Sequence, residues 1–130
     1  MTTTNINNAG LFISGKYTDK TVTVAASTTL AKGTVLGEII ATGKLIPCAS
    51  AAVDGSQVPV CVLAQDVINS TLASADFANV RVAAEAEINS ANLIFNGTDT
   101  INTSVASHGT MYTLLKGNGI LVYNVQSIVS

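Results

Sequence analysis

A chain of 130 residues with a formal net charge of −2, 11% charged and 5% aromatic side chains has room for one hydrophobic core but offers little for a polyanion to grip. Its cations, Lys16, Lys20, Lys32, Lys44, Arg81 and Lys116, are scattered, and no aromatic-rich platform accompanies them, which excludes the usual nucleic-acid surfaces. The longest apolar runs are about seven residues, far short of the ~18 that span a bilayer, so no membrane partner is expected.

Met1 to Gly10 is polar, has no period and has nothing to bury, so it is expected to be disordered on its own. No basic stretch leading into an apolar one marks an export signal. Leu11, Phe12, Ile13 and Tyr17 form an apolar patch within a poorly structured segment that also carries Lys16, Asp19 and Lys20. Two readings stay open: the patch folds back on its own domain, or it adds a strand to an exposed sheet edge of a partner. Thr21 to Ala25 alternates cleanly and opens the domain proper, giving an arm over residues 1–20 and one β-rich domain over 21–130.

Ala31 to Val67 organises the rest. Thr34 to Ile40, Lys44 to Pro47 and Val58 to Ala64 read as three short strands, the last apolar enough to be buried on both faces. Lys32-Gly33, Thr42-Gly43-Lys44 and Asp54-Gly55 supply the turns. Asn69 to Ala78 reads as a connection. In Asn79 to Ile88, alternation puts Arg81, Ala83, Glu85 and Glu87 on one face and Val80, Val82, Ala84, Ala86 and Ile88 on the other, which favours a strand. Asn96-Gly97 is a turn signal. One helix is expected from about Ser104 to Lys116, capped by Asn102, Thr103 or Ser104 and closed by Gly117, with Val105, His108, Met111, Tyr112 and Leu115 on one face. Asn118-Gly119 then turns the chain into a last strand, Ile120 to Val125. The fold class is mainly β with one helix in the C-terminal region (α+β).

Residues that invite a chemical reading do not assemble into a mechanism. Glu85 and Glu87 share a strand face but lack an apolar setting that would raise one pKa. His108, the sole histidine, has serines nearby but no nucleophile elbow. Gly43-Lys44 lacks the glycine spacing of a phosphate loop. Cys48 and Cys61, on neighbouring expected strands, have no basic neighbour; a disulfide between them is geometrically possible, but without an export signal they read as buried free thiols. No catalytic residue, metal site or cofactor is expected, and the chain does not read as an enzyme.

The pieces Gly33-Thr34-Val35-Leu36-Gly37, Thr42-Gly43-Lys44, Pro47, Asp54-Gly55-Ser56-Gln57, Pro59-Val60 and Val62-Leu63-Ala64-Gln65-Asp66 occur in an order and spacing that resembles the lambda-type bacteriophage head decoration protein D family. The likeness extends upstream to about Thr21 and downstream to Glu87-Ile88-Asn89 and Leu93-Ile94-Phe95, although Ala86 and Ile88 stand where that family has glycine and phenylalanine. The helix, glycine turn and final strand also match how such proteins end. The resemblance implies a compact β-tulip-like domain with a flexible arm. It implies a homotrimer bound to the major capsid protein at three-fold and quasi-three-fold sites on the outside of the expanded head. Such a protein is made in the host cytoplasm, resides on the virion surface and braces the shell against DNA pressure. On that reading Leu11, Phe12, Ile13 and Tyr17 anchor the capsid-binding arm. Gly33, Gly37, Gly43, Pro47, Asp54, Gly55 and Pro59 shape the turns of the family motif. The competing reading is a small β-domain adhesin or appendage protein that binds a protein or glycan.

Overall fold

The computed structural model describes residues 12–89 and 93–123, with the backbone alone for 12–15 and 123. Ten strands and one helix occur in them: β1 (Phe12–Val24), β2 (Thr28–Leu30), β3 (Val35–Glu38), β4 (Leu45–Pro47), β5 (Pro59–Leu63), β6 (Val67–Asn69), β7 (Ala75–Asn89), β8 (Ser104–Val105), β9 (Gly109–Thr110), α1 (Met111–Gly117) and β10 (Ile120–Tyr123). The described residues are therefore mainly β with one helix, as the sequence indicates. The main sheet runs β1-β4-β3-β5-β7-β10, and β1 also pairs with β7, so the first five of these strands close on themselves as a barrel.

Two clusters of buried side chains follow from strand alternation. Val22, Val24, Leu36, Leu45, Cys61, Leu63, Val80 and Val82 fill the barrel. Leu30 of β2 and Val67 of β6, an antiparallel ribbon, complete that cluster at one end. On the outside of β3, β5 and β7, Val35, Val62, Ala83, Ala86 and Ile88 pack under Val105, Met111, Leu115, Ile120 and Val122. β5 thus sends Cys61 and Leu63 inward and Val62 outward, and all three are buried, as an unbroken apolar run requires. With no tryptophan, this core is made of Val, Leu, Ile, Ala, Met and Cys, each large side chain contributing ~2 kcal/mol by leaving water.

Several expectations need correction. The segment upstream of Thr21, expected to be poorly structured, is strand from Phe12 onward. Its backbone pairs with β7 from Phe12↔Ile88 through Lys20↔Val80. Lys16 to Lys20 are all exposed, so the segment lacks the buried alternation that would have announced a strand. The connection expected at Asn69 to Ala78 instead begins in β6 and ends in β7. In β7 the pairing shifts between Lys16↔Glu85 and Tyr17↔Ala83, leaving Ala84 as a bulge. The bulge swaps the faces, so Ala83, Ala86 and Ile88 lie together in the outer cluster, while Val80 and Val82 face the barrel. A second shift next to Val22↔Phe77 falls at Asn79, which takes φ 59°.

The helix is shorter than expected, Met111–Gly117 rather than Ser104 to Lys116. Ser107 (φ 65°) and Gly109 (φ 111°) leave the helical path and turn the chain between β8 and β9. Thr110 is the N-cap, its hydroxyl accepting from the Thr113 amide. The carbonyls of Thr103 and Ile101 take the amides of Met111 and Tyr112. At the other end Asn118 is the C-cap, and Gly119 rather than Gly117 carries the positive φ, 87°. Val105 shares the buried cluster of Met111 and Leu115, but from a strand; this coincidence of spacing mimicked a longer helix.

Candidate interaction surfaces

The turns between β3, β4 and β5 are built around one close approach. Ile39 to Gly43 reverses the chain through Thr42 and Gly43 amides donating to the Ile39 carbonyl, with Gly43 at φ 75°. The Asp54 carboxylate accepts from the Ser56 amide (3.0 Å) and hydroxyl (2.6 Å), and the Gly55 amide donates to Gln57 Oε1 (2.8 Å). These bonds hold Ser56 against β3, where a Cβ on Gly37 would lie 2.2 Å from the Ser56 carbonyl oxygen. Gly55, at φ 108°, lies beneath Ile40, and the Ile40 amide donates to the Asp54 carbonyl. Gly33 also has positive φ, at the entry to β3. Pro47 ends β4, and Pro59 starts β5 beside a bulge opposite Gly37. These turns leave Ile40 and Val53 exposed at the lower end of the barrel, Val53 at 94%.

The opposite end is a second surface. Asn69, buried, spends its side chain on the backbone. Its Nδ2 donates to the carbonyls of Val24 (3.0 Å), Ala25 (3.1 Å) and Ala73 (3.0 Å), and its Oδ1 accepts from the Thr71 amide and hydroxyl. The loop after β6 is thereby fixed and presents Leu72, 93% exposed, beside the exposed Ile68 of β6. No charged residue lies between Thr21 and Ala31 or between Val67 and Ala75. An uncharged rigid cap with outward-facing apolar side chains suits burial against another polypeptide better than water.

The remaining expected site residues fall as follows. Leu11 lies outside the described residues, and Phe12 and Ile13 belong to β1. Tyr17, in β1, is 45% exposed, and the Arg81 guanidinium lies 5.8 Å from its ring centre. Beyond its single pairing with β4 at Val22↔Leu45, β1 has β7 as its sheet neighbour. The edge of Phe12 to Lys20 turned away from β7 carries no strand among the described residues. Alternation does not reveal this edge, because it reports burial and Lys16 to Lys20 are exposed.

The groups considered for chemistry stand apart from one another's roles. Glu85 faces solvent and pairs with Lys16 at 3.6 Å, a surface pair of small energetic weight. Glu87 is half-buried, and His108 is exposed in the β8–β9 turn rather than on a helix, its Nδ1 2.7 Å from the Ala106 carbonyl. Cys48 and Cys61 are free and lie in different buried clusters, Cys48 just past β4 and Cys61 in β5, with β3 between those strands. Burial pushes both thiols up to about 12, the setting of structural rather than reactive cysteines. A pocket of about 230 Å³ at the lower barrel mouth is lined by Thr18, Lys20, Glu38, Gly43, Cys61 and Asn118 among others. No group of three or more metal-binding side chains occurs among the described residues.

A small barrel with a protected interior, unreactive thiols and apolar side chains displayed at both ends is the build of a structural, partner-binding protein. The family model for bacteriophage lambda head decoration protein D matches residues 2–109, and the chain belongs to that family. It is thus a phage head decoration protein, a structural component of the capsid. No curated protein matches it. The match takes in β1 and the barrel and stops at β9, ahead of α1 and β10.

Proposed function

We propose that this protein is a homotrimeric cement for the expanded phage head, seated on the outer surface at three-fold and quasi-three-fold positions and holding neighbouring capsid subunits together against internal DNA pressure. The family match over residues 2–109 is the observation that carries this reading. The low charge, the charge-free cap with Ile68 and Leu72 outward, and the edge of Phe12 to Lys20, which has no strand neighbour on its far side among the described residues, support it. Three arms on one body bind with avidity, so individually weak contacts hold the trimer in place. Preference for the expanded shell follows when expansion assembles the binding site, because a ligand favours the state it binds better.

In this proposal Leu11, Phe12, Ile13 and Tyr17 anchor the arm, with the major capsid protein as partner. The arm and the strand overlap: Phe12 to Lys20 pair with β7, so a truncation that tests the arm alone must stop before Phe12. Removing residues 1–11 is expected to leave a trimer, three times the mass of the shortened chain by sedimentation equilibrium, with head binding lost or sharply weakened. A truncated protein that still decorates heads fully would remove Leu11 and the residues before it from the arm, and a full-length Tyr17→Ala protein that still decorates fully would remove Tyr17. A full-length chain that sediments as a monomer at micromolar concentration would remove the trimer.

A further inference from the structure

Asparagine followed by glycine is chemically labile when both reacting groups are free. The glycine amide nitrogen attacks Cγ of the asparagine, the Cγ–Nδ2 bond breaks, and ammonia leaves with the amide proton. The resulting cyclic imide is opened by water at either carbonyl, giving aspartate or isoaspartate; no oxidant or reductant takes part. The chain carries two such pairs, Asn96-Gly97 and Asn118-Gly119. The fold treats them differently.

Asn118 is tied at every reacting atom. Its Nδ2 donates to the Pro59 carbonyl (3.1 Å) and the Leu114 carbonyl (3.1 Å), and the Gly119 amide donates to the Lys116 carbonyl (3.1 Å). Attack there requires these bonds to be given up together with the C-cap of α1. Asn96 is exposed, and neither its side chain nor the Gly97 amide is hydrogen-bonded to the described residues. Gly97 sits at φ 61°, and nothing lies within 4 Å of the place a Cβ would occupy, so the turn is open on the glycine's side of the reacting bond. The Asn96 carbonyl accepts from the Asp99 amide (3.1 Å), which fixes the turn without engaging the reacting atoms. The related Asp54-Gly55 pair is held in the manner of Asn118, through Ser56 and Gln57.

We propose that Asn96 is a site of spontaneous deamidation in this protein and that the fold protects Asn118 from the same reaction. The product adds a negative charge to the turn where Asp99 already accepts from the Ser50 amide (2.9 Å) and hydroxyl (2.7 Å). Isoaspartate also lengthens the backbone ahead of Gly97, which loosens the tie between this turn and the loop carrying Ser50.

The test is peptide mass mapping with isoaspartate detection after incubating the full-length native protein at mildly alkaline pH, alongside a denatured sample. In the native protein Asn96 is expected to convert at least about tenfold faster than Asn118, a barrier difference that shrinks to within about threefold once the chain is unfolded. Isoelectric focusing of Asn96→Gln should lose the principal acidic isoform that the parent accumulates. Equal native rates at the two sites, faster conversion at Asn118, or an unchanged acidic isoform in Asn96→Gln would each overturn the assignment.

Discussion

Gly37 illustrates a residue chosen for what its neighbour needs. Its backbone is extended rather than left-handed, so alanine is conformationally acceptable. Yet the added carbon would meet the carbonyl oxygen, carbon and Cα of Ser56 at 2.2, 2.7 and 2.8 Å. These are backbone atoms fixed by the Asp54 carboxylate, and they cannot yield without opening the turn. Gly37→Ala is therefore expected to destabilise the protein by about 3 kcal/mol or more, read as a lower urea midpoint with unchanged slope. A glycine of this kind is visible in sequence as part of a motif, but its reason is not, because Ser56 is brought there by a turn made elsewhere.

Charge at the residue scale acts mainly at low pH. Hydrogen bonds from Lys44 and then Thr23 hold the Asp76 carboxyl below the usual carboxylate range, and the Ser56 side chain and amide do the same for Asp54. A carboxylate with a lowered folded-state pKa lends stability above its unfolded pKa, and that stability is lost as pH falls through the folded value. Both groups are exposed, so the effect is modest. The denaturation midpoint is expected to drop as pH falls from about 5 towards 2, and Asp76→Asn should flatten part of that drop. A variant with the parent's full acid dependence would show that the Lys44–Asp76–Thr23 contact contributes nothing.

At the scale of elements, much depended on whether a segment's stability is local. β5 was legible because a run buried on both faces looks the same whatever its neighbours are. β7 is legible as a strand, but alternation does not give its faces past Ala84, since a bulge is set by the pairing partner and leaves no mark in the sequence pattern. The outer half of β1 was missed for a related reason: Lys16 to Lys20 are held by the ladder to β7, not by burial. The helix was overextended because Val105, Met111 and Leu115 enter one cluster from two kinds of structure. β6, three residues long, exists through its pairing with β2 and the Asn69 network. Replacing Asn69 with alanine removes the donor to the carbonyls of Val24, Ala25 and Ala73, of which that of buried Val24 has least access to water. It is expected to cost about 2–3 kcal/mol, with faster amide exchange confined to the β2–β6 ribbon. Uniform loosening of the whole barrel would contradict a local role for this side chain.

The whole molecule separates a buried interior from two ends that display apolar side chains. Barrel closure removes most sheet edges, which is how small β proteins avoid unwanted pairing. The long β1–β7 ladder reaches past the barrel and keeps one edge, from Phe12 to Lys20, free of a strand neighbour among the described residues. Ile40 and Val53 at one end, and Ile68 and Leu72 at the other, expose apolar surface that costs solubility unless it is covered in an assembly. The family resemblance was readable from the motif between Gly33 and Asp66, whereas the open edge and the rigid cap needed the three-dimensional pairing. If these surfaces serve decoration, the protein binds an assembled lattice and not its isolated subunits.

That is most directly measured by co-sedimentation of the purified protein with phage heads lacking decoration, prepared in the expanded and the unexpanded form. Saturable binding to expanded heads in stoichiometric multiples of three, with little binding to unexpanded heads, is the predicted result. Absence of binding to expanded heads from the matching phage would contradict it.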